Sequence, residues 1–443
     1  MSNTTNTTNT KHNNFPTNIL LIGSGGRESA LGWKIFNSQS FKDNNCKLYT
    51  APGNPGLAEF SQCVNIKADD INSLLNFSLE NKIDFVVVGP EIPLSLGIVD
   101  KFSKAGIKIF GPSKSAAQIE SSKIFTKNLL KKYNIPTADY KSFSASQKNE
   151  ALEFLKNHSY PLVIKADGLA AGKGVIIAED FQTASQTINE FIDDNIFSGA
   201  GSNFVIEDFL TGQETSVFAI TDGENFVLLP ASQDHKKIGD NDTGKNTGGM
   251  GAYAPAEKVA TPEIIEKVKS SVIQPVISAM KSEGCEFKGC LYAGLMISPD
   301  GNPFVIEFNC RFGDPETQVV LPLIKSDFLN LLIASAENNI NSYNLESYKK
   351  YYVSVVLASG GYPDDYEQGF EITGLSNLDS ETLVFHSGTK IVENKLVTAG
   401  GRVLNIVAGS DSSVSDAISK VYSEIEKINF KNMYFRKDIA SKA

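Results

Sequence analysis

The densest chemistry in this chain of 443 residues lies in Pro303-Phe304-Val305-Ile306-Glu307-Phe308-Asn309-Cys310-Arg311-Phe312-Gly313-Asp314-Pro315-Glu316-Thr317. The turn signal Pro299-Asp300-Gly301-Asn302 separates two β-rich runs, 291–297 and 304–308, and predicts a hairpin. On a strand Glu307 and Asn309 share a face, because side chains alternate with a period of two. A carboxylate and an amide oxygen side by side are hard ligands, suited to Mg²⁺ (or Mn²⁺) bridging a nucleotide's phosphates. Directly beyond stand Arg311, a bidentate anion clamp, and Asp314. Glu-x-Asn alone is weak, since an isolated carboxylate near a strand end is usually a solvated rim residue. Its meaning comes from what stands upstream.

Lys165 ends the apolar strand predicted at 161–165, where desolvating an ammonium is costly unless an anion meets it. A glycine-rich stretch, 166–174, leads into a second strand at 175–178. The G-x-x-x-x-G-K-[ST] phosphate-loop spacing fails at Asp167 and Gly174, and the stretch enters a strand rather than a helix. A hairpin tip that folds over a triphosphate fits better. The strand 204–210 leaves into a connector whose backbone suits an adenine edge, and a carboxylate shortly after it, Glu214, suits a ribose diol. The stretch 242–251 reads as a long loop without a core-forming pattern, the kind usually kept for function. His235 by itself is more often a hydrogen-bonded structural residue than a catalytic one.

The elements that must position these residues read as follows. A buried strand at 18–22 runs into Gly23-Ser24-Gly25-Gly26-Arg27-Glu28 and a helical pattern through Phe36. Strand, glycine turn, helix aims backbone N–H groups at an anion. It is not the dinucleotide fingerprint, because Glu28 occupies the third glycine position. Strands at 47–50, 85–88 and 107–110, with a helix at 71–79, complete a small doubly wound α/β domain over 18–117. Its crevice would be edged by Gly25, Gly26 and Arg27, by Gly53 and Asn54, and by Glu91. The plainer alternative is that these glycines only make tight βα turns. One amphipathic helix is predicted over 113–133, carrying Lys123 and stopping before Pro136. Strands at 353–359, 382–385 and 402–407 with a helix at 414–428 predict a small α+β domain at the end.

The length suggests roughly three domains. The chain is 41% hydrophobic with mean hydropathy −0.14, a globular composition, and no apolar run reaches the ~18 residues of a membrane helix. A net charge of −10 argues against nucleic acid as the main partner, so anionic substrates would need individually placed Lys and Arg. The Asn/Thr-rich start, without an apolar segment, is expected to be a disordered tail over 1–17 rather than a signal peptide. Five cysteines without a CxxC pair and four scattered histidines fit a reducing cytoplasm, not a zinc or disulfide framework.

Together these segments resemble the phosphoribosylamine–glycine ligase (glycinamide ribonucleotide synthetase) family of the ATP-grasp superfamily, from about 18 to 440. The most specific motif is Arg311-Phe312-Gly313-Asp314-Pro315-Glu316-Thr317-Gln318. Residues 165–174, Ser232-Gln233-Asp234-His235-Lys236, Asn246-Thr247-Gly248-Gly249-Met250-Gly251 and Arg436-Lys437-Asp438-Ile439 also match. The resemblance implies an N-terminal doubly wound domain over 18–117, an ATP-grasp domain over 118–345 with a lid at about 140–210, and a C-terminal domain over 346–443. It implies that Lys123 and Lys165 hold ATP phosphates beneath a loop containing Gly172, Lys173 and Gly174. It places adenine at Glu207, Phe209 and Leu210, ribose at Glu214, and the metal at Glu307 and Asn309. Asp234, Arg311 and Asp314 are implied near glycine and the phosphoryl centre. His235, Lys236 and the N-terminal loops are implied for substrate. The chain would be a monomer, in transient contact with the enzyme that makes phosphoribosylamine. Ser29 and Lys245 depart from the family pattern, which has His and Pro there. A nicotinamide oxidoreductase is disfavoured by Glu28, another ATP-grasp ligase by 311–318, and a silent binding paralogue by the intact metal pair and Lys165.

Overall fold

A computed structural model describes residues 15–169, 174–193 and 202–443. The expected tail to residue 14 and the loop positions Gly172 and Lys173 lie outside the described residues. Five parallel strands form the first sheet: β1 (Asn18–Gly23), β2 (Lys47–Pro52), β3 (Gln62–Cys63), β4 (Phe85–Val88) and β5 (Lys108–Phe110), in the order β3-β2-β1-β4-β5. β4 is buried throughout and β1 is buried from its second residue, as continuous apolar runs in a parallel sheet must be. The strand order reverses at β1, the position where such sheets open a crevice.

The carboxylate of Glu28 fills the crevice at that point. A Cβ at Gly23 or at Gly89 would fall 2.3 Å from the Glu28 side chain, so both glycines make room for it. The Gly25 amide donates to Glu28 Oε2 at 2.6 Å and Arg27 Nε donates to Oε1 at 2.5 Å. The anion that meets the first glycine turn is thus the chain's own.

The single helix expected over 113–133 is two helices, Gln118–Ser121 and Lys123–Lys132. Ser122 breaks it with extended backbone and caps the second helix by accepting the Phe125 amide at 3.1 Å. Its hydroxyl and the Ile124 amide both donate to Asp167 Oδ1, at 3.1 Å each. The cap therefore ties the helix bearing Lys123 to the start of the glycine loop. Local side-chain capping has overridden amphipathic continuity.

A second, antiparallel sheet comprises β6 (Tyr140–Ser144), β7 (Leu162–Ala166), β8 (Val175–Ala178) and β9 (Asn203–Asp208), ordered β6-β9-β7-β8. Helices Lys148–Lys156 and Phe181–Ile192 close a separate small core over it. The third sheet, β11-β10-β16-β17, is built from β10 (Gln213–Thr221), β11 (Phe226–Leu228), β16 (Gly289–Ile297) and β17 (Pro303–Asn309). It contains the expected hairpin, with Glu307 opposite Gly294 and Asn309 opposite Tyr292.

The fourth sheet joins distant parts of the chain. β12 (Gln233–Asp234) and β15 (Gly251–Ala254) pair alongside β18 (Tyr351–Ser359), β22 (Arg402–Ser410) and β19 (Leu383–His386). The stretch 242–251, expected as an open loop, is partly a hairpin of β13 (Lys237–Gly239) and β14 (Thr243–Asn246). Asn241 and Asp242 turn it at φ 55° and 56°, a conformation their short polar side chains tolerate. The strands are polar, so no hydrophobic period announces them. Among the described residues no helix is long and apolar enough to cross a membrane.

Two buried histidines sit beside this sheet. Burial pushes His235 and His386 down to about 4 each, from an ordinary value near 6.5. Both are neutral in the fold, while the unfolded chain takes up protons as the pH drops below about 6.5. Their contribution to stability is therefore complete above that pH and is lost as the pH falls towards 4, on the order of 3 kcal/mol per histidine. Replacing His386 by Gln should flatten the loss of stability between pH 6.5 and 4, measured as denaturation midpoints against pH. A slope identical to that of the unaltered chain would contradict this.

Candidate functional site

Lys165, near the end of β7, and Lys127, on the helix Lys123–Lys132, converge on one carboxylate from β9. Each ammonium lies 2.9 Å from Glu207 Oε2, and all three side chains are buried. Lys165 also donates to the Ile306 carbonyl at 2.9 Å. Lys127 donates to the Thr137 hydroxyl at 2.7 Å, and that hydroxyl donates to the Val305 carbonyl at 2.7 Å. Glu207 is thereby referenced to two successive carbonyls of β17. Its other oxygen, Oε1, is buried without a protein partner. Burial drives Lys127 down to about 8 against the pull of Glu207, and lowers Lys123 as well. Among the described residues the Lys123 ammonium donates to the Gly168 carbonyl, at 3.4 Å. Lys123 stands in the field of Glu307 and of Lys165 rather than of Glu207, and buried ammonium groups gathered in this way favour an anionic ligand.

These groups line a cleft of about 890 Å³. Along β17 the Glu307 carboxylate would be raised by burial, yet Lys236, Lys165 and Lys123 hold it below the usual range. Asn309 Oδ1 accepts from Arg311 at 3.2 Å. The Arg311 guanidinium further binds Glu91 at 3.2 Å and Glu120 at 3.0 Å. Burial alone would raise Glu91, but Arg311 and Arg27 bring it down to about 2. Glu120 also accepts the amide of Cys310 at 2.8 Å, so it fixes the strand end as well as the guanidinium. Arg27 faces the same network, 3.8 Å from Glu91. Across the cleft, burial pushes the Asp234 carboxyl up to about 8. Lys236 pairs with Glu214 at 3.0 Å and keeps its proton firmly.

The structure brings together in the cleft Arg27, Glu91, Lys123, Lys165, Gly174, Glu207, Phe209, Leu210, Glu214, Asp234, His235, Lys236, Glu307, Asn309, Arg311 and Asp314. Gly25, Gly26, Gly53 and Asn54 are not among the residues lining it. Gly26 faces a polar knot, where a Cβ would meet Asn405 at 2.4 Å, Ser387 at 2.6 Å and Gln318 at 2.8 Å. Gly53 turns with φ 74° against Thr50 and Cys63. Asn54 donates to the carbonyls of Ser24 (2.8 Å) and His386 (2.9 Å), bolting the N-terminal loop to β19. Ser29 donates to the same His386 carbonyl at 2.8 Å. Lys245 forms an exposed ion pair with Asp364 at 2.7 Å.

Among the lining residues to which the sequence reading gave no role are Glu120, Lys127 and Arg402. Lys127 falls one helical turn after Lys123, which is the signal that pointed to it. Arg402, from β22, donates to the Gly248 carbonyl at 2.6 Å and the Asp314 carbonyl at 3.1 Å, and pairs with the Asp314 carboxylate at 3.2 Å. Gln318 holds the same carboxylate at 2.8 Å. Only the glycine pair before Arg402 marks it in the sequence.

The N-terminal, ATP-grasp (A) and C domains of phosphoribosylglycinamide synthetase match residues 17–120, 121–317 and 352–442. The chain belongs to the phosphoribosylglycinamide synthetase family. A phosphoribosylamine–glycine ligase of Caldanaerobacter subterraneus subsp. tengcongensis is 47% identical over 423 residues, spanning 96% of this chain and 99% of the relative. One from Pasteurella multocida is 46% identical over 428 residues, spanning 96% and 98%. The crystal structure of the Thermotoga maritima phosphoribosylamine–glycine ligase superposes with a TM-score of 0.82 at 34% identity, covering 96% of this chain and all of that one. A biotin carboxylase domain from Hydrogenobacter thermophilus shares the fold alone, with a TM-score of 0.72 at 15% identity over 95% of this chain and 91% of that one. Of the two positions expected to depart from the family pattern, Ser29 is buried in the junction with β19 and Lys245 stands in a surface ion pair.

Arg402 links β22 to two cleft loops at once. Replacing it by Gln should leave Asp314 without its cation and destabilise the chain by about 1–3 kcal/mol in urea titrations. An unaltered midpoint would show that the pair carries no weight.

Proposed function

We propose that this synthetase joins glycine to 5-phosphoribosylamine, driven by ATP, to give glycinamide ribonucleotide, ADP and phosphate through glycyl phosphate. The observation that carries the reading is the convergence in one cleft of Lys123 and Lys165, the Glu307/Asn309 pair and Arg311, on a chain of this family. Carboxylate oxygen is a poor leaving group, so the carboxylate must first be activated. Its oxygen attacks the γ-phosphorus as the bond to ADP breaks, and the amine then attacks the acyl carbon as phosphate leaves. Such transfers need alignment and charge neutralisation more than a protein nucleophile.

In this reading Lys123 and Lys165 hold the phosphates, with Gly172, Lys173 and Gly174 in the covering loop. Glu207 and the backbone at Phe209 and Leu210 receive adenine, and Glu214 the ribose. Arg311 and Asp234 face glycine and the phosphoryl group. Asp314, turned towards Arg402, supports that end of the site. Arg27 and Glu91 reach the phosphoribosylamine, with Gly25, Gly26, Gly53 and Asn54 shaping the loops behind them, and His235 and Lys236 complete the substrate contacts.

Glu307 and Asn309 supply two hard oxygens on one strand face. Among the described residues no group of three or more His, Cys, Asp or Glu forms a metal cage. The pair fits a divalent cation, Mg²⁺ or Mn²⁺, shared with the nucleotide's phosphates, which neutralises charge on the transferring group when bound. The setting proposed is a cytoplasmic monomer that receives its labile amine from the enzyme that makes it.

The test is ADP release in a coupled assay. Release should require both glycine and freshly generated phosphoribosylamine. Equal release with the amine omitted would leave only an ATPase. Glu307→Gln should remove most Mg²⁺-dependent turnover, a loss on the order of several kcal/mol in barrier.

A further inference from the structure

Within the cleft, Lys127 is the buried cation for which phosphate binding offers no role. Its ammonium donates to Thr137 Oγ1 at 2.7 Å, pairs with Glu207 Oε2 at 2.9 Å and lies 5.7 Å from the centre of the Tyr140 ring. With its donors committed, it has little to offer a triphosphate. Its partner has the opposite imbalance. Both lysines meet Glu207 at the same oxygen, Oε2, and Oε1 is left buried and unpartnered while the residue lines the cleft. A buried carboxylate oxygen without a donor is costly, so the arrangement anticipates one from a ligand.

We propose that Lys127 is a positioning residue for base selectivity: by fixing Glu207 Oε2 together with Lys165, it leaves Oε1 as the acceptor for a purine 6-amino group. The inference rests on the reading that the cleft takes a nucleotide at Glu207. A 6-amino purine donates an N–H to Oε1. A 6-oxo purine brings an acceptor against a fixed carboxylate oxygen in a buried site, where the mismatch cannot be relieved by water. The geometry prevents the carboxylate from adapting. Lys127 is tied through Thr137 to the Val305 carbonyl, and Lys165 is tied to the Ile306 carbonyl, so both halves of the clamp stand on β17. Without Lys127, Oε2 keeps one partner, and the carboxylate becomes free to turn away from a 6-oxo group.

The test compares binding of ADP and IDP, which differ at purine C6 and in the proton the 6-oxo form carries on N1, to the full chain with Mg²⁺ by calorimetry. The unaltered chain should prefer ADP. Lys127→Met keeps the length of the side chain and removes the charge, and should reduce the ADP-over-IDP ratio about tenfold, chiefly by strengthening IDP relative to ADP. If that variant does not fold, Thr137→Val carries the test. It removes the hydroxyl that anchors Lys127 and keeps the lysine, and it should move the ratio the same way by about threefold. A merely structural role would weaken both nucleotides alike and leave the ratio unchanged in both variants, which overturns the proposal. Glu207→Gln separates the two levels, because its amide can donate to a 6-oxo group. A collapsed ratio in Glu207→Gln with an unchanged one in the other variants sinks only the role of Lys127. An unchanged ratio in Glu207→Gln means the base is read elsewhere, and both assignments fall.

Discussion

The constraint on which this structure depends is the burial of cations in an acidic chain. Lys123, Lys127, Lys165, Arg27 and Arg311 all lie largely out of water around one cleft, and none could stand there unpaired. The fold answers with carboxylates drawn from different elements. Glu207 comes from β9, Glu91 follows β4, and Glu120 comes from the short helix before Ser122. At the phosphate end the pairing is shared: Lys127 and Lys165 meet on Glu207, while Lys165 and Lys123 act on Glu307. At the Arg311 end it is generous, with Glu91 and Glu120 on one guanidinium. The Arg311 end is thereby a rigid scaffold for the cleft.

The second requirement is that elements from all parts of the chain agree on where the cleft walls stand. The junction under Gly26 does this with short polar side chains: Gln318 after β17, and Ser387 and Asn405 from the C-terminal sheet. Gln318 reaches on to Asp314 and Asp314 to Arg402, so the walls are connected through hydrogen bonds rather than through one apolar core. Gly26 is required because any side chain would displace that knot, not because its turn faces a ligand.

The sequence displayed those parts of the fold whose signals are local. Continuous apolar runs marked β1 and β4, the Asp300-Gly301 turn marked the β16–β17 hairpin, and period two put Glu307 and Asn309 on one face. The break at Ser122 was less visible, because a serine inside an amphipathic run competes with the helix only once Asp167 is in place. β12 and β15 were hidden by their shortness: β12 pairs only with β15, β15 finds its other partner a hundred residues away in β18, and a strand of two to four residues has no period to read. Glu120, Lys127 and Arg402 were missed for the same reason. Each looks like an ordinary surface charge until the chain brings its partner from far along the sequence.

The central claim is that glycine's carboxylate, and not water or a protein side chain, accepts the phosphoryl group in this cleft. Glycine labelled with ¹⁸O in both carboxylate oxygens tests it directly, because attack by the amine must expel one of those oxygens with phosphate. Mass spectrometry of the phosphate released should find one labelled oxygen per phosphate while glycinamide ribonucleotide accumulates. Unlabelled phosphate accompanying the same product would contradict the account.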